Sequence, residues 1–389
     1  MRRILGALLA LAVMGSMAGC AALFEKEYVS IAPYEAEETG PEEEPRGEAA
    51  VGSISNYAAL KEAIEQLVSR HAEAAELQFQ NYDGSISQDI SAACWEVKSS
   101  TAIGAFAVDY ISYDLSRIVS YYQADIFITY KRSADQLAAL QSVKTVSALR
   151  QRLDEAIREN KTYLVLEVTV ASATADTVRQ GVSLAYYGDP TACPVQPSVE
   201  VGIFPESGMS RIMEVTLAYD ADGEALNQKR QELAAAVDAM TAAIAPEGWT
   251  EETWPARDRV YEVCRYVWKN CALRESAGAT AWDALVGGAG NSEGLAMAVE
   301  AGCQALGVSC GAVIGRLDGE THVWNQVTLD GNVYHVDASC WSAGAEQVFL
   351  AADETLWGRY WWDTSLYPAA PQTYEESQAA TPSAEIGEI

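Results

Sequence analysis

His322 and Asp337 are the residues of this 389-residue chain whose types and spacing point most directly to chemistry. Asp330-Gly331 separates two runs of alternating apolar and polar residues, which predicts a two-residue hairpin turn. If Leu329 faces Asn332, then Trp324 faces Asp337 and His322 faces Ser339. Alternate residues share a face, so His322 and Asp337 fall diagonally across one side of the hairpin, within side-chain reach. An imidazole oriented by a carboxylate is the base half of a nucleophilic site. The same face carries Trp324, Gln326, His335 and Ser339, and the other carries Val323, Val327, Leu329, Tyr334 and Val336, so one side reads as polar and the other as packing. His335 is expected to be a structural strand residue, and Trp324 to line a cleft or to pack. The chain has three His (His71, His322, His335) and eight Cys with no Cys-x-x-Cys pair, which leaves little material for a tetrahedral zinc site, so neither a metal nor a cofactor is expected.

A nucleophile has to come from another element. The stretch from Thr280 to Trp341, TAWDALVGGAGNSEGLAMAVEAGCQALGVSCGAVIGRLDGETHVWNQVTLDGNVYHVDASCW, resembles the transglutaminase-like superfamily, relatives of papain-type cysteine proteases. In that family a Gly-rich loop leads into a nucleophilic Cys at a helix start, followed by Glu-Gly, a His-x-Trp-Asn strand and a Tyr-His-Val-Asp strand. The resemblance covers about residues 253–370, ending in Tyr360-Trp361-Trp362-Asp363 and Tyr367-Pro368. It implies a papain-like α+β core and a triad whose His and Asp are His322 and Asp337. Ser292 stands where the family has its Cys, immediately before Glu293-Gly294.

Ser292 would open the helix holding Leu295, Met297, Val299 and Leu306, where a Ser has a structural explanation as an N-cap bonding the amide three residues on. A Cys there is ionised by the helix dipole and an imidazolium, whereas a hydroxyl needs a base aligned on its oxygen. The expectation is therefore a degenerate triad of Ser292, His322 and Asp337, with Asn291 and Trp324 in the cleft. The alternative is an active hydrolase or acyltransferase on peptide or amide substrates. Ser292 would then attack, His322 act as base, Asp337 orient it, and backbone amides near Asn291 and Ser292 hold the oxyanion. Cys303 lies ~16 Å along the helix from Ser292, and Cys340 points away from the His322 face by strand alternation, so neither is expected to substitute. Cys264 and Cys271, seven apart on one helix, are separated by ~10 Å of rise, too far for a disulfide, and mostly reduced, buried thiols are expected.

The elements upstream repeat at a constant offset of 89. Tyr57-Ala58-Ala59-Leu60 with Ile64 and Val68 matches Val146-Ser147-Ala148-Leu149 with Leu153 and Ile157; Leu77 and Phe79 fall on Leu166 and Val168; Ile126, Ile128 and Tyr130 fall on Val215, Leu217 and Tyr219. Each copy reads as helix, strand, helix, strand, strand. The fold class is thus α+β, with a papain-like transglutaminase core (253–370) preceded by a duplicated α-β-α-β-β region (51–140 and 141–245). The tyrosines Tyr110, Tyr113, Tyr121 and Tyr122 read as core or interface before sugar-stacking platforms, and His71 as a solvated surface residue.

At the N-terminus, Arg2-Arg3, an apolar run from Ile4 to Met14 and Met17-Ala18-Gly19-Cys20 form an export signal (1–19), and the small pair before Cys20 resembles a bacterial lipobox whose Cys is acylated. The run is shorter than the roughly 20 residues of a bilayer span. Nine Glu against Lys26 and Arg46, with three Pro, make 20–50 a self-repelling tether, and the acidic 371–389 is expected to be a disordered tail. With 26 Lys+Arg against 55 Asp+Glu the net charge is −29, which argues against a nucleic-acid partner. The sequence therefore describes an extracytoplasmic protein, anchored to the bacterial membrane through lipidated Cys20. Its transglutaminase-like domain is expected to be catalytically impaired and to bind peptide, envelope polymer or protein; an active hydrolase and a structural cell-surface module are the alternatives.

Overall fold

The computed structural model describes residues 53–341 and 348–380. The export signal, Cys20 and the 20–50 tether lie outside the described residues. Among the described residues no helix is long and apolar enough to cross a membrane.

The first copy runs α1 (Tyr57–Ser69), β1 (Ala74–Phe79), α2 (Ile86–Ser100), α3 (Ala102–Ala107), β2 (Val108–Ile118), β3 (Tyr121–Tyr130) and α4 (Ala134–Ala138). After an edge strand, β4 (Leu140–Val143), the second runs α5 (Val146–Arg158), β5 (Tyr163–Val168), α6 (Ala175–Gly188), β6 (Ser198–Phe204), β7 (Arg211–Ala218) and α7 (Gly223–Ile244). Strand order is β1-β3-β2 in one sheet and β4-β5-β7-β6 in the other. Leu77 pairs with Ala124 and Leu166 with Met213, again 89 apart on both strands. Even the edges correspond: Ile54 bridges Phe79 in parallel as Val143 pairs with Val168. The outer pairing differs by one residue, Ile111 with Ile128 but Val199 with Leu217, because a bulge at Val108/Tyr110 shifts the first copy. The first helix of each copy ends the same way, His71 (φ 54) and Asn160 (φ 53) taking the left-handed position after the cap. His71 is not a freely solvated residue: its ring stacks on Tyr130 at 3.9 Å and its Nε2 meets the Arg132 carbonyl at 2.9 Å.

The C-terminal part continues with α8 (Ala256–Asn270), β8 (Ala272–Leu273), α9 (Ala281–Leu285), β9 (Ala289–Gly290), α10 (Ser292–Ala305), β10 (Ser309–Leu317), β11 (Glu320–Leu329) and β12 (Asn332–Val336). It ends with β13 (Phe349–Ala351), α11 (Asp353–Leu356), β14 (Tyr360–Trp362) and α12 (Tyr374–Ala380). Its antiparallel sheet has the order β13-β12-β11-β10-β14. Asp330 and Gly331 both take positive φ (51 and 80), the turn that matches strand twist, and Leu329 pairs with Asn332. Val327, Leu329, Tyr334 and Val336 pack against the apolar α10 in a core that also holds Leu149, Leu166 and Val215 of the second copy and Val237 and Met240 of α7. The first copy has a core of its own, into which Val165 and Ile212 reach from the neighbouring sheet.

Two expectations are corrected here. The polar face of the β11–β12 hairpin is covered: Trp324 packs with Val313, Leu356, Tyr360 and Trp362, because β14 returns to pair with β10. Of the tail expected to be disordered (371–389), residues 381–389 lie outside the described residues and the rest contains α12, docked through Tyr334 Oη to Ser377 Oγ at 2.8 Å and by the edge of Tyr374 against Tyr334. Thr373 and Glu376 cap that helix reciprocally, a signal legible in Thr-Tyr-Glu-Glu.

Candidate active site

The start of α10 is set by Asn291. Its Oδ1 accepts the Gly294 amide at 2.9 Å, so Asn291 rather than Ser292 is the N-cap, and Ser292 is the first helical residue. Asn291, half-buried beside Ser292, thus spends its side-chain oxygen on the helix cap. Its own amide donates to the Gly278 carbonyl at 3.1 Å, so it is not available to an oxyanion either. Glycine follows Glu293 for a steric reason: a Cβ on Gly294 would lie 2.9 Å from the Gly278 oxygen and 3.2 Å from the Thr280 oxygen.

The Ser292 hydroxyl, half-buried, accepts the Val323 amide at 3.3 Å, which puts it against β11 beside His322. No hydrogen bond joins Ser292 to His322 among the described residues. His322 turns Nε2 to Asp337 Oδ2 at 2.7 Å, leaving Nδ1 as the nitrogen not engaged by Asp337. Asp337 is 1% exposed and ends the hairpin as the cap of a 3-10 turn, Ala338–Cys340. Its Oδ1 accepts the Ser339 amide at 2.9 Å and hydroxyl at 2.6 Å; its Oδ2 also accepts Tyr360 Oη at 2.8 Å and Cys340 Sγ at 3.2 Å.

Burial alone would depress the His322 pKa, but the Asp337 carboxylate beside it, with Cys340, raises it to about 9. Burial pushes Asp337 up, but His322 together with the Ser339 and Tyr360 hydroxyls outweighs it and holds the carboxyl below its usual range. The pair is therefore imidazolium and carboxylate at neutral pH. With a pKa of about 9, roughly 1% of the imidazole is neutral at pH 7. Such an imidazolium suits a thiolate partner; a serine needs the neutral base. Glu293, next to Ser292, is raised by burial and opposed by the Tyr187 hydroxyl, which donates to its Oε1 at 2.7 Å from α6 of the second copy.

Trp324, expected in the cleft or the packing, is 0% exposed and packs. Its indole N–H donates to His335 Nδ1 at 2.9 Å, and His335 Nε2 meets Asp353 Oδ1 at 2.8 Å, a relay through a His held neutral by burial that pins the segment carrying Tyr360. His335 accordingly sits in the structural place foreseen for it. Cys340 does not point away. β12 stops at Val336 and the chain coils into the 3-10 turn, so strand alternation no longer applies and the thiol returns to Asp337. Tyr360, Ser339 and Cys340 were missed. The Asp-x-Ser at 337–339, which favours a turn closed by the Asp side chain, was the available signal for the last two.

Residues 242–338 match the family model of the transglutaminase-like superfamily. No curated protein matches the chain. Among solved structures, a crystal structure of a TGase aligns at 12% identity over 57% of this chain and 62% of its own, with a TM-score of 0.26. A candidate cysteine protease from Cytophaga hutchinsonii aligns at 13% identity over 40% of this chain and 67% of its own, with a TM-score of 0.24. The chain thus spans less than two thirds of the TGase it matches. The matched segment contains Ser292, His322 and Asp337, and the C-terminal half of this protein carries a domain of the transglutaminase-like superfamily.

Proposed function

We propose that this is a lipid-anchored extracytoplasmic protein whose transglutaminase-like domain has lost its acyl-transfer chemistry and uses the former cleft to bind peptide, envelope polymer or a protein. One observation carries the reading: the residue in the place of the nucleophilic Cys is Ser292, and its oxygen is engaged by the Val323 amide with no hydrogen bond to His322. A hydroxyl with no base aligned on it is a poor nucleophile. Wild type should not label at Ser292 with serine-reactive phosphonates. Ser292→Cys should gain a thiol that alkylates faster than the buried cysteines and slows again in combination with His322→Ala, since imidazolium and helix dipole both favour thiolate. Phosphonate labelling of wild type that disappears in His322→Ala would refute the reading.

The contact of 2.7 Å between His322 and Asp337 favours a second reading, an active Ser-His-Asp hydrolase or acyltransferase on peptide or amide substrates. That same labelling result would establish it.

A further inference from the structure

We propose that His322, Asp337 and Cys340 form a binding site for a zinc-class divalent metal ion. The proposal concerns the Nε2 side of the imidazole, away from any nucleophile at Nδ1, and does not depend on the fate of Ser292.

The three side chains offer nitrogen, oxygen and sulfur, and their ligand atoms all lie within 4.8 Å of one another. Nε2 and Sγ stand 2.7 and 3.2 Å from the same oxygen, Asp337 Oδ2. Zinc bonds of about 2.0–2.3 Å in a tetrahedron separate ligand atoms by about 3.3–3.7 Å, so the donors need to spread by about half an ångström. Tyr360 Oη, 2.8 Å from Oδ2 and 3.3 Å from Sγ, borders the fourth position.

A second observation is the crowding of the carboxylate. Ser339 supplies two donors to Oδ1, and His322, Tyr360 and Cys340 all converge on Oδ2. That makes five donors for a group with about four acceptor sites. A metal ion replacing the imidazole and thiol protons relieves this crowding. It also leaves the site neutral, since one carboxylate and one thiolate balance a divalent cation where Asp337 is 1% exposed. Thiolate and imidazole select zinc over magnesium or calcium, which prefer oxygen ligands. Each ion bound displaces those two protons, so affinity falls as the medium is acidified.

The test uses the full chain stripped with a chelator, titrated with Zn²⁺ against a chromophoric chelator and with Co²⁺ by absorption. Wild type should bind one Zn²⁺ tightly and show a near-ultraviolet thiolate-to-cobalt band. Outer partners of a metal typically cost about 10–100-fold when removed, so loss of a direct ligand in Cys340→Ser should weaken Zn²⁺ by at least about a hundredfold and abolish the band. Ser292→Ala should bind as wild type does. Equal Zn²⁺ binding by wild type and Cys340→Ser would assign the ion to the acidic surface and overturn the proposal. A wild-type Co²⁺ spectrum without the thiolate band would overturn it without reference to any variant.

Discussion

Replacing Asp337 by Asn tests the electrostatics of the site directly. The step of the His322 pKa from 6.5 to about 9, made against the pull of burial, corresponds to about 3 kcal/mol of preference for the imidazolium. Asn keeps a hydrogen-bond acceptor but removes the charge, so burial is then opposed mainly by Cys340 and the His322 pKa should fall from about 9 toward or below its ordinary value. With only three His in the chain, imidazole resonances followed by NMR in the presence of a chelator resolve the shift. Stability should follow with a defined sign. A raised folded pKa contributes fully below the unfolded value of 6.5, and the contribution is lost as pH rises through about 9. Wild type should therefore lose its advantage over Asp337→Asn by about 3 kcal/mol between about pH 6 and pH 10, measured by urea unfolding. A wild-type His322 midpoint near 6.5 that Asp337→Asn leaves unchanged would refute the ion pair.

Gly294→Ala should destabilise by about 1–3 kcal/mol in urea unfolding, because the new methyl meets backbone oxygens of the 278–280 loop that have no side-chain freedom to yield; a change under about 0.5 kcal/mol would contradict the tight approach. Mass spectrometry of the mature protein should find an acylated N-terminal Cys20, and an unmodified N-terminus further downstream would exclude lipid anchoring.

The repeated region was legible because local periodicity is carried by contiguous residues and one offset serves every element. The β11–β12 hairpin was legible because Asp330-Gly331 restricts the turn, and the turn sets the register that brings His322 toward Asp337. What escaped depends on where a pattern stops. Alternation extrapolated past Val336 sent Cys340 to the wrong side, and a cap assigned to Ser292 belonged one residue earlier, to Asn291. Tyr360 was beyond local reasoning altogether: it meets Asp337 only because β14 crosses the sheet to pair with β10 at the far edge from β12.

The core shared by α7, α8 and α10 has a consequence for how such a site can decay. Gly302 of α10 leaves room for Met240 of α7 and Val263 of α8, whose atoms would lie 2.6 and 2.8 Å from a Cβ there. The helix that begins at Ser292 is thus also an interior wall for the second copy, and cutting the chain near residue 242, where the family match begins, would divide α7 and expose that wall. Selection for a folded chain then preserves α10, β11 and β12 whether or not anything reacts at their junction. Under the proposed function, losing the nucleophile would leave no structural trace to be purged, and the framework of the triad would outlive its chemistry as masonry.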